Sequence, residues 1–518
     1  MKRLVCILLV FLFFSLTACA PDTKIEFQAV LSEANALHEA QTAMTVADSI
    51  DKFKPVLSKV DAGFTEEELV SLTKGLDDQV NGKKQITRTQ AEQDVALLFR
   101  AFKYAYGPYG YFGGDKAFGA VKTAIFDDLA ALGNTFEVSE LISVLQERLA
   151  FIKDGHFYMN NRNIIEMQTY FSTEELAFER NNRGYFSRPD GKKQYLLSVN
   201  GDAEVESYMK LSIGSDGALT YRLGMFGDHA ARTVEVNAVF EKAAMSLTLE
   251  NVAGVPTYDF APAYSENRGG AVPVVAYRDC LQHNSYEDFI GSAKRLRSDP
   301  VAIIDLRGNG GGSPDVATAW LDAYDPEGIA ENGYGVGFLF LKTAASYYFL
   351  ARSLKYYPGV YQSPGPQTEA FMKGYRFGWN DYVRIKNSEG LRFWEVEGEG
   401  EGEGEGLLFV LMDSRTISGG EWLLSALRTR ENTVFVGTNS AGMLLGARGE
   451  DISLPNSNIR FSFGNLLLLT YDERVFEEGR GFLPDLWVSG DALERVQKLI
   501  EYYDLAPQAD TPVQSPVA

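Results

Sequence analysis

From Ala271 onward, short apolar runs alternate with amphipathic segments, and this order constrains the fold more than any other feature. Val272 to Tyr277, Val301 to Leu306, Leu407 to Met412 and Val434 to Gly437 read as buried strands. Tyr286 to Leu296, Pro314 to Tyr324 and Glu421 to Arg430 carry apolar residues at helical spacing between and after them. Strands separated by helices of this length imply a largely parallel sheet covered on both faces, an α/β core. The chain has 518 residues, beyond the roughly 250–300 that one hydrophobic core supports, so two or three domains are expected.

The other regions differ in pattern. Lys2-Arg3 form a basic start, Leu4 to Leu16 an apolar run too short to span a membrane, and the run ends at Leu16-Thr-Ala-Cys19. This resembles a bacterial lipoprotein signal. It predicts a lipoprotein signal peptide over residues 1–19, cleaved so that Cys19 becomes the lipidated first residue and anchors the protein to the outer face of a bacterial membrane in the cell envelope. Cys6 leaves with the signal, so Cys280 is the one remaining thiol and no intramolecular disulfide is expected. The net charge of −21 argues against nucleic acid as a partner.

Residues 20–88 read as a helical spacer and 89–159 as a stronger helical region. In the latter, Val138, Leu141, Ile142, Leu145, Leu149 and Ile152 mark one helix face that stops at Gly155, directly before His156. Residues 160–270 form a β-rich module of alternating runs and Asn-Gly or Gly-rich turns. Its phrase Leu197-Ser-Val-Asn-Gly201 is similar to a strand and turn of PDZ domains, without a recognisable carboxylate-binding loop. Residues 271–503 hold the α/β core. The Gly-Glu alternation from Glu397 to Gly406 is a solvated loop within it, and 504–518 is a frayed tail.

Two stretches carry chemistry. Ser418 sits where the strand Leu407 to Met412 gives way to a helix, followed by Gly419-Gly420. A hydroxyl there faces free backbone N–H groups and the positive end of a helix dipole, which suits a nucleophile and equally an ordinary N-cap. The second stretch is Asp305-Leu-Arg-Gly-Asn-Gly-Gly-Gly312, at the end of the strand Val301 to Leu306. Its glycines could aim N–H groups into one space or simply make a tight turn. Nucleotide-binding patterns fail: Ser313-Pro314 follows where a phosphate loop needs Gly-Lys, and Ser313 stands where a dinucleotide fingerprint needs glycine.

A serine nucleophile needs a base. No lysine occurs between Ser418 and Lys498, and Glu421 holds the Ser-x-x-Lys position. That leaves His38, His156, His229 and His283, each of which also fits a structural or surface role. His38 lies in the spacer, and its His-Glu-x-x-Thr context lacks a second zinc ligand. His156, in Lys153-Asp-Gly-His156, projects from a fixed point.

Four elements then occur in an order that resembles the tail-specific (C-terminal-processing) serine protease family, in its histidine-using, tricorn-like and retinoid-binding-protein-like branch. They are Asp154-Gly-His156, Asp305-x-Arg-x-Asn-x-Gly-Gly312, Ser418-x-x-Glu421 and Glu478-x-x-Gly481-Phe-x-Pro-Asp485. The resemblance spans roughly residues 90 to 490. It implies a crotonase/ClpP-like α/β catalytic core with an N-terminal helical region and an inserted, degenerate PDZ-like module. It also implies Ser418 as nucleophile, His156 as general base and acid, and Glu478 as the carboxylate that orients the imidazole. The oxyanion hole would combine the N–H groups of Gly419 and Gly311. No cofactor or metal is implied, and the partner is a peptide or protein substrate. The chain departs from the family twice: Met443 stands where the lysine-using branch has its lysine, and Gly155 where the tricorn branch has a serine. The expectation is a lipid-anchored serine endopeptidase. The alternatives are an inactive peptide- or ligand-binding lipoprotein on the same fold, and a hydrolase of esters or small amides.

Overall fold

Four apolar runs of the α/β core pair side by side in the computed structural model, which describes residues 25–42, 50, 52–55, 63–77, 84–189, 191–228, 230–251, 262–281, 285–326, 335–343, 345–346, 348–349, 390–392, 406–447, 450–470 and 475–506. The strands are β1 (Val274–Tyr277), β2 (Val301–Asp305), β3 (Leu407–Met412) and β4 (Thr433–Gly437), continued by the short β5 (Leu486–Trp487). They lie in that order and all run parallel, with Val274 opposite Ile303, Asp305 opposite Leu411, and Met412 opposite Gly437. Cys19, the Gly-Glu run from 397 to 405, His229, His283 and the tail beyond 506 lie outside the described residues.

Alternation along each strand serves two cores. Ala302, Ile304, Leu408, Val410, Met412 and Phe435 face one, and Val301, Ile303, Phe409, Leu411, Val434 and Val436 the other. Both faces are apolar, which is why the runs read as unbroken in sequence. The helices α1 (Phe27–Thr42) and α9 (Ala492–Tyr502) pack on the second face through Phe27, Val30, Leu31, Val496 and Leu499. Between these two in the chain come α2 (Glu66–Asp77), α3 (Arg88–Ala105), α4 (Gly114–Leu132), α5 (Val138–Leu149), α6 (Tyr286–Arg297), α7 (Pro314–Tyr324) and α8 (Gly419–Leu427). Of these, α6, α7 and α8 cover the first face through Phe289, Leu296, Trp320, Leu321, Leu423 and Leu427.

The segment read as a spacer is built into this structure. The Phe27 and Phe409 rings lie 5.9 Å apart, Asn35 Oδ1 accepts from Asn432 N–H, and buried His38 reaches Asp485 at 3.5 Å. Spacing alone could not show this, because α1 presents its apolar stripe to strands nearly 400 residues away. α2 likewise buries Leu69 and Leu72 in the core of the helical region.

The β-rich module is an extension of the same sheet. Trp487 of β5 pairs in parallel with Ser212 of the strand Met209–Ile213, and antiparallel strands continue from there to give a sheet of 14 strands. Between residues 160 and 251 the described residues hold one 3₁₀ turn, Val205–Tyr208, and no α-helix. The fold is a mixed α/β with one large sheet, and the PDZ-like reading of the module gains no support from it.

One helix boundary also moves. α5 ends at Leu149, not at Gly155, and Phe151 to Asp154 continue as turn and irregular backbone. Gly155 is glycine for a packing reason: a Cβ there would lie 2.5 Å from Met443 Cγ.

Candidate active site

Parallel strands place the residues after their carboxyl ends on one edge of the sheet, where α/β folds bind ligands. The glycine loop follows β2, Ser418 follows β3, and residues 438–445 follow β4. Hydrogen bonds staple the three together. Asp413 Oδ1 accepts from Gly308 N–H at 2.9 Å, Thr416 Oγ1 donates to Leu306 O at 2.9 Å, and Ile417 N–H donates to Asn309 O at 2.9 Å.

Ser418 occupies the cap position of α8 with φ 52° and ψ −109°. A non-glycine residue in that region is strained, by about 1–3 kcal/mol, and persists only where its surroundings hold it. Buried Glu421 does much of the holding. Its Oε2 accepts from Ser418 N–H at 3.0 Å and Met443 N–H at 2.8 Å, and its Oε1 from Ser440 Oγ at 2.6 Å and Gly442 N–H at 2.7 Å. Burial raises the proton affinity of this carboxyl, and the four donors oppose that rise. The Ser-x-x-Glu spacing was visible as a helix-start signature; that the glutamate ties the serine turn to the 440–443 loop was not.

The Ser418 hydroxyl lies 3.1 Å from His156 Nε2, across 262 residues of sequence. His156 is buried and leads into the strand Tyr158–Met159, which pairs with Phe461 and Ser462 and fixes the ring's position from the helical region. A carboxylate oxygen of Asp154, one of Glu478 and a ring nitrogen of His156 all lie within 4.8 Å of one another. Ser418, His156 and Glu478 are therefore brought together. His38 is not: it lies against Asp485 and Phe435.

Glu478 is held by backbone donors, Gly155 N–H at 2.8 Å on Oε1 and Leu444 and Leu445 N–H at 3.2 and 3.0 Å on Oε2. Asp154 accepts from His156 N–H at 2.8 Å on Oδ1 and from Tyr106 O–H at 2.7 Å on Oδ2. Burial drives Glu478 well above the usual carboxylate range, and the nearby Asp154 charge adds to it. Burial likewise raises Asp154 to about 6, against the hydrogen bonds from Tyr106 and His156. The trio is also the place where a cation could be held, but every carboxylate oxygen in it already accepts from an N–H or O–H group. These donors suit an anion or a shared proton better than an ion's coordination shell.

The two N–H groups expected as oxyanion donors differ in availability. Gly311, with φ 75°, stands against Ser418: a Cβ on it would lie 2.9 Å from Ser418 Cβ and 2.6 Å from Ile417 O. Its N–H, however, donates to Asn309 Oδ1 at 2.9 Å. The next N–H, of Gly312, has no acceptor among the described residues and would lie 3.1 Å from a Cβ on Gly419, whose own N–H also has none. Asn309 turns one loop amide away and leaves its neighbour available, an arrangement set by a side-chain rotamer that spacing does not reveal. Met443, at the position of the lysine-using branch's lysine, packs its side chain on Gly155. Cys280 is a buried free thiol, raised by burial to about 12.

A cavity of about 970 Å³ borders Glu478, Leu444 and Leu445, with Leu468 and Leu469 in its floor and Glu166 and Asp228 at its rim. No helix of the described residues is long and apolar enough to cross a membrane.

No family model and no curated protein matches the chain. Among solved structures it is similar to mature CPAF, with TM-score 0.38 and 13% identity over 80% of this chain and 96% of that one. It is also similar to the photosystem II D1 C-terminal processing protease, with TM-score 0.37 and 13% identity over 80% of this chain and 98% of that one. A putative peptidase from Parabacteroides merdae gives TM-score 0.36 and 13% identity over 83% of this chain and 99% of that one. At such identities and scores, the chemistry of the site rests on its own geometry.

Proposed function

We propose that this protein is a serine endopeptidase working through Ser418, His156 and Glu478. The observation that carries the reading is the 3.1 Å approach of Ser418 Oγ to His156 Nε2, made by a serine held at positive φ at a strand-to-helix turn. Strain of this kind marks functional positions, because an ordinary cap does not require it. Ser418 Oγ attacks the scissile carbonyl carbon while its proton passes to His156 Nε2. Glu478, beside the imidazole, favours the imidazolium so formed. The carbonyl oxygen, now an oxyanion, receives the N–H groups of Gly419 and Gly312. The imidazolium then protonates the leaving amine, and the acyl-serine is hydrolysed by a water whose proton the same imidazole accepts.

The N-terminal signal pattern supports lipidation of Cys19 and a place on the outer face of a bacterial membrane. Cys19→Ala would then release the protein from the membrane fraction.

Replacing Ser418 or His156 by Ala is expected to lower turnover of a cleaved peptide on the order of 10³-fold or more with the fold intact. Fluorophosphonate should label the native protein and spare Ser418→Ala. A native protein that stays unlabelled and cleaves no peptide would instead be a binding lipoprotein. Labelling together with ester turnover but no peptide cleavage would favour a small-ester hydrolase.

A further inference from the structure

Asp154 is fully buried and makes two well-formed hydrogen bonds, yet the proposed triad gives it no task. One of its carboxylate oxygens, one of Glu478 and a ring nitrogen of His156 lie within 4.8 Å of one another, with Asp154 and His156 buried and Glu478 half-buried at the cavity. The wall opposite is Gly446, where a Cβ would stand 2.6 Å from Asp154 Oδ2, so the backbone closes tightly over the carboxyl. The groups facing the pair are Tyr106, His156 and, from α8, Glu421, itself buried and acidic. Lys153 is exposed, and Glu477 next to the pair turns outward to Arg480 at 2.8 Å. No lysine or arginine is among the groups acting on either carboxyl.

Two carboxylates this close, one buried and one half-buried, and without a guanidinium or ammonium, cannot both ionise cheaply. Like charges that share a site keep one proton between them. We propose that Asp154 is a positioning residue for the base: Asp154 and Glu478 titrate as a pair holding one proton, so His156 faces a single negative charge. This rests on the triad reading for its catalytic meaning, but not for its measurement.

The single charge matters in both directions. With none, the imidazolium formed in the reaction would be buried unbalanced. With two, the imidazole would hold its proton too firmly to act as a base. Tyr106 belongs to the device, since its O–H on Asp154 Oδ2 favours the ionised form of that carboxyl. Burial and the Asp154 charge raise the tyrosine's own proton affinity, so it remains a donor.

The test is the titration of the His156 ring followed by NMR on histidine-labelled protein, with the resonance identified by its loss in His156→Ala. In the native protein the ring signal should show two inflections, its own and that of the carboxyl pair. Asp154→Asn keeps the size of the side chain and removes one ionisation, and it should move the carboxyl inflection to lower pH, because Glu478 then titrates alone without the Asp154 charge. Tyr106→Phe takes a donor from Asp154 and should move the pair's inflection to higher pH. If both variants keep the native two-step curve, or the native protein titrates in one step, the paired proton is overturned. Should Asp154→Asn fail to fold, the Tyr106→Phe shift decides alone. Fluorophosphonate labelling of Ser418 in the same samples separates the two readings. Labelling with a one-step native curve removes this inference and leaves the peptidase, whereas a two-step curve without labelling does the reverse. In an active enzyme, the acid limb of the pH profile of kcat/KM should likewise move to lower pH in Asp154→Asn.

Discussion

Asp305 and Asp154 are both buried aspartates, and they are treated in opposite ways. Asp305 ends β2 and meets two guanidiniums, Arg307 at 2.9 Å and Arg278 at 2.8 Å. Burial alone would raise it, but the two arginines outweigh burial and hold it at about 2. Asp154 meets only an O–H, an N–H and a second carboxyl, and burial raises it to about 6. Equal burial thus gives opposite shifts, and the difference is the partner. A neutralised carboxylate anchors backbone, here the start of the glycine loop, whereas an unneutralised one keeps a proton affinity near working pH. The second kind is what acid–base chemistry needs.

The contrast is broken most directly by substituting both residues. Asp305→Asn takes from Arg278 and Arg307 the anion they share, leaving Asp491 beside Arg307, and is expected to cost about 3–5 kcal/mol of stability, read by denaturant unfolding. Asp154→Asn should cost far less near neutral pH, since it removes a charge that burial already disfavours. Equal losses would mean that the two carboxyls are alike.

The pH dependence comes next, and its signs differ. Folded Asp154 has a proton affinity above that of the unfolded chain, so the native state binds the extra proton between about pH 4 and about 6. Its contribution is present at the low end of that window and lost as pH rises through it. Folded Asp305 lies below its unfolded value, so its contribution is present above about pH 4 and lost as pH falls toward about 2. Thermal unfolding from pH 3 to 7 should show the first slope vanish in Asp154→Asn. The second should vanish in Asp305→Asn.

Two smaller effects sharpen the site side of the comparison. Gly155→Ala should cost about 1–3 kcal/mol by crowding Met443. Only the part due to Met443 Cγ should return in the double variant with Met443→Ala, because Met443 Cβ and Cα would still lie 2.9 and 3.0 Å from the new methyl, a coupling read by a double-mutant cycle. Ser418→Gly should stabilise by about 1 kcal/mol, because glycine tolerates the positive φ that serine resists. Stabilisation with loss of all turnover would be the mark of strain kept for function.

Much of the architecture was legible because it is written in local periodicity. Runs such as Val301 to Leu306 and Leu407 to Met412 are apolar on both faces, and only a sheet covered on both sides accepts them. Ser418 at a strand end and the glycine loop after β2 could be picked out for the same reason, whereas the roles of His156 and Glu478 came from the motif resemblance. The helix end at Gly155 was misread because glycine has more than one use: here it yields space to Met443 and does not form a left-handed cap.

What the residue order determined, then, is an α/β chain with a serine at the start of α8 and a short set of partners for it. Only the tertiary structure decided which partners meet. It brought His156 to Ser418 across 262 residues, packed α1 onto β3 and β4, and joined the β-rich module to the catalytic sheet through Trp487 and Ser212. It also tied the Gly311 N–H to Asn309 and set Asp154 beside Glu478. The reason is physical: apolar periodicity is a property of neighbouring residues, whereas a hydrogen-bond partner and the proton affinity of a carboxyl depend on whatever distant groups share its burial.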